Sequence, residues 1–291
     1  MLLSYAQNME DVVLSKLFEG QATGFYIDVG GGHAIADNVS FLFYERGWRG
    51  IVVEPQIALG KLYRQIRPRD VLIDALAGRV AGTLELFEAT TFHGLSTASA
   101  AHASAAEQAG IAGRRVNKLV TTLAELAKAH APAVVDFLKI DVEGHEAEVL
   151  AGNDWQRLRP RVVLVEAIEP ISMADASHRF EPLLLAQNYR FMFFDNLNRW
   201  YVAQEAAEAL APRFPKVPLA WDSVRHLGEY GPAHSDATHP DHAMARDLVT
   251  RFLASLPHID ADMLECLGAK EVDRAALARV SALFDGGYIV E

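Results

Sequence analysis

The sequence predicts an α/β fold: a three-layer sandwich around a mixed sheet, with an antiparallel closing hairpin and a C-terminal helical appendage. Three observations predict it. Short apolar runs alternate with segments of helical period across residues 25–202, the pattern of parallel βαβ units. The runs are largely apolar, as buried strands are. The last two are separated only by a short polar turn, so they pair as a hairpin and give the sheet an antiparallel edge.

The first strand is Phe25–Val29, which stops at Gly30-Gly31-Gly32. Val39, Leu42, Phe43 and Arg46 follow at helical spacing, and Gly47 suits the C-terminal stop. Residues 50–53 make a second strand, ending at Glu54-Pro55. Residues 59–66 read as a helix, and 71–76 and 84–87 as strands. The alanine-rich stretch 98–110 reads as a helix. Thr121-Thr122 with Glu125 has the form of a capping box, opening a helix to about His130 with Pro132 beyond it. Residues 134–140 form a strand ending at Asp141, a helix from about Glu146 ends near Gly152, and 162–165 form a strand ending at Glu166. Residues 180–187 read as a helix, and Tyr189–Phe194 and 200–202 as the closing strands around the 195–199 turn.

From Pro212 to Pro240 the character changes. Pro215, Pro218 and Pro232 lie between, with His226, His234 and His239, and the stretch reads as an irregular connector. Residues 241–256 and 273–284 read as two helices. Residues 236–291 hold ten acids and five bases, a net −5 of the chain's −11. The predicted organisation is therefore a domain over residues 1–222, then a connector and acidic helical appendage over 223–291. The appendage packs on the sheet domain or on a second copy of the chain, a route to a homo-oligomer.

Composition narrows the class. An apolar fraction of 51% with 22% charged residues belongs to a folded protein rather than a disordered one. A net charge of −11 repels phosphate backbones and anionic membrane surfaces, which argues against a nucleic-acid partner. The single cysteine, Cys266, cannot form an intramolecular disulfide or a Cys-rich zinc site, and suits a reducing compartment. Residues 1–11 lack the basic and apolar segments of a secretory signal, and the longest uncharged run, 89–106, lacks the apolar density of a membrane span. A cytoplasmic protein with no membrane span is expected.

The glycine loop raises the question of a cofactor. A strand ending in glycines lets backbone approach a ligand closely. Glu54 ends the next strand, 26 residues after Asp28, where a carboxylate can accept two hydrogen bonds from a ribose diol. Gly30 and Gly32 match the first two glycines of the dinucleotide fingerprint, but the third position is Ile35. Asp28 lies two residues before the first glycine, and an acid beside a pyrophosphate is unfavourable by Coulomb repulsion. S-adenosylmethionine carries a sulfonium and an ammonium and no phosphate, so the pattern favours it over NAD. A tight structural turn is the alternative.

Several blocks then fall in order: Ser4-Tyr5-Ala6-Gln7-Asn8-Met9-Glu10-Asp11, Tyr26-Ile27-Asp28-Val29-Gly30, Phe43-Tyr44-Glu45-Arg46-Gly47-Trp48-Arg49-Gly50 leading to Glu54-Pro55, Gly94-Leu95-Ser96-Thr97, Phe137-Leu138-Lys139-Ile140-Asp141-Val142-Glu143-Gly144, and Phe194-Asp195-Asn196-Leu197-Asn198-Arg199-Trp200-Tyr201-Val202. In these blocks the chain resembles the FkbM family of S-adenosylmethionine-dependent methyltransferases, over residues 4–222. The resemblance implies a class I methyltransferase (Rossmann-like) fold and O-methylation of a hydroxyl on a sugar, glycan or glycosylated natural product. Two positions depart from the family pattern: Gly31-Gly32, where the family often has Ala-Asn, and Asn196, where it often has Gly.

A hydroxyl is a poor nucleophile until its proton leaves, so a base or a metal ion is expected beside the cofactor. The candidates sit at strand ends: Asp141, Glu143, His145 and Glu166. Either Asp141, Glu143 or His145 takes the proton directly, or Asp141 and Glu166 bind Mg²⁺ and His145 is the base, an arrangement similar by analogy to that of other metal-dependent sugar O-methyltransferases. Glu143-Gly144 also suits a plain helix start, where an acid is favoured by the dipole.

Candidate cofactor contacts are Gln7, Asn8, Asp28, Gly30, Gly32, His33 and Glu54, although Asn8 equally suits a helix cap. Candidate acceptor contacts are His93 and Ser96 in the uncharged loop, and Asp195, Asn198, Arg199 and Tyr201 in the hairpin turn, which a purely structural turn would also explain. The irregular spacing of His226, His234, His239 and His242 reads as solvated loop histidines rather than a metal cluster. Two other functions remain open: an NAD-linked oxidoreductase, against which Ile35 and Asp28 argue, and a non-catalytic binding module on the same fold.

Overall fold

The computed structural model describes residues 2–90, 93–169, 173–219, 224–226 and 237–238. The connector residues His234 and His239, and the expected C-terminal helices with His242 and Cys266, lie outside the described residues, and with them the expected oligomer contact.

The chain is a mixed α/β fold around a mostly parallel sheet. In chain order the strands are β1 (Leu2–Ser4), β2 (Phe25–Val29), β3 (Arg49–Val53), β4 (Val71–Ile73), β5 (Leu76–Ala77), β6 (Gly82–Ala89), β7 (Gly113–Thr121), β8 (Phe137–Ile140), β9 (Val162–Glu166), β10 (Tyr189–Phe194), β11 (Asn198–Ala203) and β12 (Val224–His226). The helices are α1 (Glu10–Leu17), α2 (Phe41–Glu45), α3 (Ile57–Ile66), α4 (Ala100–Gln108), α5 (Leu123–His130), α6 (Glu146–Ala151), α7 (Glu181–Ala186) and α8 (Ala207–Leu210). No helix among the described residues is long and apolar enough to cross a membrane.

The central sheet has seven strands in the order β10-β11-β9-β8-β2-β3-β4. Strands β4, β3, β2, β8 and β9 pair in parallel, while β11 is antiparallel to both β9 and β10. The chain runs outward from β2 to β4 on one side and from β8 to β10 on the other. The order therefore reverses between β2 and β8, the position where open α/β sheets bind ligands. Every residue of β2 and β8 is buried, including Asp28 and Lys139.

Sequence cues explain much of this. Thr122 accepts from the Glu125 amide and Glu125 reaches back to Thr122, so the predicted capping box starts α5. Under the sheet, Phe137 stacks on Tyr26 at 5.4 Å and packs against Phe43 at 5.1 Å.

Four features differ from the sequence expectation. The stretch expected as one strand over 71–76 is two, β4 and β5, which belong to different sheets. Helix α1 follows Met9, whose φ of 61° turns the chain, and Asn8 is not its cap. Val224–His226, inside the stretch read as an irregular connector, pairs in parallel with Leu2–Ser4. Strand β7 carries no apolar run, because most of its residues are exposed. It pairs with β6 along eight residues and forms a second sheet, β5-β7-β6. Its Arg114 and Arg115 pair with Glu88 and Glu85 across the strands.

A buried cation also shapes the fold. Arg67, 1% exposed, pairs with Asp70 at 2.7 Å. It donates to the Ala34 carbonyl, Asn38 Oδ1, the Tyr26 hydroxyl and Ser40 Oγ. Asn38 in turn donates to the carbonyls of Gly31 and His33. The glycine loop is thus held from beneath by side chains whose own polar groups are satisfied.

Candidate active site

A cavity of about 370 Å³ opens at the carboxyl ends of β2, β3, β8 and β9. Leu76, Leu86 and Leu95 form an apolar side. That side comes from the second sheet and from the segment leading to α4, which the paired Phe87–Thr97 backbone hydrogen bonds tie to β6. The polar side comes from the strand ends of the central sheet.

On one flank lies the glycine loop. Gly30 has φ 76°, and a Cβ there would overlap the Asp141 carbonyl, so this position requires glycine. Glu54 is 2% exposed and accepts from the amides of Gly32 at 2.9 Å and Gln56 at 2.8 Å. Burial pushes its carboxyl up to about 7. His33 lines the cavity, and its Nδ1 accepts from the amides of Ile35 and Ala36.

Asp28, read as facing the ligand, lies under the loop instead. It is fully buried, accepts from Ser40 Oγ at 2.5 Å and sits 3.5 Å from Lys139 Nζ. Its charge is answered by a buried ammonium, so it does not set the sign of charge the cavity accepts.

Three further acids lie on the opposite flank. Asp141, Glu143 and Glu166 each present an oxygen within 4.8 Å of the others. Burial, followed by repulsion from Asp141, holds the Glu143 and Glu166 carboxyls well above the usual range. Ionising Glu143 or Glu166 beside another carboxylate is costly because like charges repel. Lys139 lies at their edge, 3.3 Å from Asp141, and donates to the Gly30 carbonyl at 2.6 Å, so it joins the two flanks. His145, immediately before α6, also lines the cavity, and desolvation lowers its pKa. It is a neutral imidazole at pH 7. Glu146 Oε1 accepts from the amides of Val142 and Gly144, shaping the loop that carries Glu143.

The sequence-predicted residues divide. Gln7, Gly30, Gly32, His33, Glu54, Ser96, Asp141, Glu143, His145 and Glu166 line the cavity. Ser96 Oγ accepts from the Ala89 amide. His93 opens a short turn, His93–Leu95.

The hairpin residues go elsewhere. Asp195 accepts from the amides of Leu197 and Asn198 and from Trp200 Nε1. Asn198 Nδ2 donates to Glu10 at 2.7 Å, and Asn8 Nδ2 donates to the Asp195 carbonyl at 2.9 Å. Arg199 donates to Ser177, pairs with Glu181 at 3.2 Å and lies over the Phe191 ring. The Tyr201 hydroxyl donates to Glu181. None of these five polar side chains reaches the cavity wall, to which the turn contributes only Leu197.

Sequence reasoning missed Lys139, Glu146 and Gln56. Lys139 had a signal: a lysine inside an otherwise apolar strand run needs buried acids beside it.

A family model described as the methyltransferase FkbM domain matches residues 28–191. That is more than half of the chain. The chain belongs to the FkbM methyltransferase family. No curated protein sequence matches it. The FkbM domain begins at Asp28 and ends within β10, so it holds the glycine loop, Glu54 and the three carboxyls. Asp195, Asn198, Arg199 and Tyr201 fall beyond its end. As an FkbM domain the chain is a methyltransferase, and its mostly parallel sheet agrees with a methyltransferase fold.

Proposed function

We propose that this methyltransferase uses S-adenosylmethionine on a class I fold to methylate a hydroxyl of a sugar, glycan or glycosylated natural product. The observation that carries the reading is the cavity at the sheet's switch point, with Gly30–Gly32 and Glu54 on one flank and three carboxyls on the other. The strand order, with β11 antiparallel, supports the class I assignment. The single cysteine suits a reducing compartment such as the cytoplasm.

The cavity's acidic lining favours a cationic cofactor over a dinucleotide, because a bound cation stabilises the ionised form of carboxyls whose charge is otherwise costly there. Asp37, Glu54, Asp141, Glu143 and Glu166 line it, against one lysine among the described lining residues. That lysine is already engaged with Asp28, Asp141 and the Gly30 carbonyl. Among the described residues, a pyrophosphate would find no free cation there. The buried Ile35 occupies the third fingerprint position.

The bound cofactor supplies an electrophilic methyl group. Glu54 keeps lone pairs for a ribose diol beyond the two amides it already accepts. The carboxyl group of three holds the acceptor hydroxyl and takes its proton at an ionised oxygen, with the neutral His145 as a second proton acceptor. The apolar side, with Leu76, Leu86 and Leu95, excludes water from the transfer.

The carboxyl trio favours a second arrangement on its own chemistry: three oxygen donors fit a hard cation. Asp141, Glu143 and Glu166 would hold Mg²⁺, which lowers the pKa of a bound hydroxyl.

The test is thermal unfolding with and without S-adenosylmethionine, then transfer of a labelled methyl group to a panel of methyl glycosides. A ligand at about 100 times its Kd stabilises by about 2.7 kcal/mol, so a clear rise in Tm is expected. No rise at millimolar cofactor with folded protein sinks the reading. Loss of transfer on chelation, restored by Mg²⁺, selects the metal arrangement.

A further inference from the structure

We propose that His102, on α4, is a positioning residue that latches the loop carrying Glu143 into its working geometry. Its effect on rate rests on the methyl-transfer reading; the latch itself does not.

Four observations meet at this side chain. Glu143 has φ 54°, a left-handed conformation that a non-glycine residue holds only under constraint from its surroundings. Its carbonyl is gripped twice from the segment over the cavity, by Thr97 Oγ1 at 2.7 Å and His102 Nδ1 at 2.7 Å. A carbonyl only accepts, so Nδ1 carries the hydrogen. The next residue, Gly144, has φ 94°, and a Cβ there would overlap the His102 ring, so the ring fills the space a side chain would take. The other ring nitrogen meets the Glu169 carboxylate, which also pairs with Arg179.

Glu169 follows β9, the strand that ends at Glu166. One imidazole therefore joins α4, the Glu143 loop and the segment after Glu166. The three carboxyls come from two strand ends, and their mutual geometry depends on how these loops are held. Within the loop, Glu146 fixes the amides of Val142 and Gly144. The carbonyl side of Glu143 is fixed from α4 and Thr97. Rotating that peptide would swing the Glu143 carboxyl away from Asp141.

Two variants separate the grips. His102→Asn keeps a donor near the Nδ1 position and loses Glu169. His102→Gln keeps a donor near the Nε2 position and loses Glu143. Native-state hydrogen exchange at the amides of Val142 and Gly144 reads the latch directly. Exchange about tenfold faster is expected in His102→Gln at an unchanged global Tm, with His102→Asn rescuing protection. In methyl transfer to the methyl glycoside panel, His102→Gln should lower kcat about 10- to 100-fold with KM for S-adenosylmethionine within about twofold.

Wild-type protection in His102→Gln overturns the proposal. So does equal loss in both variants, or loss in His102→Asn alone. If the wild-type protein fails to bind S-adenosylhomocysteine, the methyl-transfer reading falls, while the exchange comparison still decides the latch.

Discussion

The loop after β2 and the turn between β10 and β11 are alike in sequence: short, polar and lying at strand ends. The structure gives them opposite roles. In the glycine loop, carbonyls are tied down from below by Asn38 and Lys139, and Glu54 borders the cavity. In the hairpin turn, both Asp195 oxygens are consumed by Leu197, Asn198 and Trp200, and Asn198 is spent on Glu10. Polar groups that answer one another close a turn. Polar groups supported from behind leave a face open for a ligand. A positive φ alone does not separate the two, since Gly30 and Asn196 have nearly the same φ, 76° and 79°.

The widest test of this contrast is to remove a carboxyl from each kind of region. Asp141→Asn or Glu143→Gln should lower methyl transfer about 10²- to 10⁴-fold, the usual weight of a proton-transferring group. Glu143→Gln should not lower Tm, because it relieves repulsion among the carboxyls, whereas Asp141→Asn also removes a partner of the buried Lys139 and should cost some stability. A variant with full transfer rate would remove the trio from the chemistry.

Asp195→Ala should do the reverse. It leaves the Trp200 indole and two amides without their acceptor in a buried turn. Each orphaned donor costs about 1–3 kcal/mol, so a loss of about 3 kcal/mol or more in urea unfolding is expected, with S-adenosylhomocysteine affinity of the folded fraction intact. Lost affinity at wild-type stability would move the turn into the site.

The sequence carried the strand ends well and the side-chain directions poorly. The run of Phe25–Val29, the capping box at Thr122 and the closing hairpin were legible because period and turn chemistry are local. Strand β7 was not, since its polar residues are held by cross-strand pairs such as Arg114–Glu88, which local period does not encode. The same limit applies to the site. Asn198 lies in register with Glu166, so both belong to one strand end. Sequence cannot say that the Asn198 amide turns to Glu10, which is nearly two hundred residues away. Lys139 removed one premise of the cofactor inference, because Asp28 repels a phosphate only where no buried ammonium answers it.

The N-terminal segment that closes the turn gives a pH test. Glu10 is buried, and burial with repulsion from Asp195 pushes its carboxyl up to about 8 from an ordinary 4.5. Between those values the folded state keeps a proton that the unfolded state has lost. Stability from this group is thus present at low pH and falls as pH rises toward about 8. Asp11, raised to about 6 by burial, adds the same sign at lower pH. Tm should decline across this window, by roughly 2–4 °C for each kcal/mol lost, and Glu10→Gln should flatten the decline. An unchanged slope would detach Glu10 from the turn's stability.

The smallest effect sharpens the comparison most, because it changes one Cβ. Asn196 holds φ 79° in a turn whose polar groups are already paired. Glycine adopts this conformation without strain, whereas other residues pay a penalty that asparagine only reduces. Against this, glycine loosens the unfolded chain by about 0.5–1 kcal/mol. The two terms nearly cancel, so Asn196→Gly should change stability by no more than about 0.5 kcal/mol in either direction. It should leave cofactor affinity unchanged, since Asn196 does not line the cavity. A large loss of affinity in this variant would mean that the turn, like the glycine loop, shapes the ligand's binding surface.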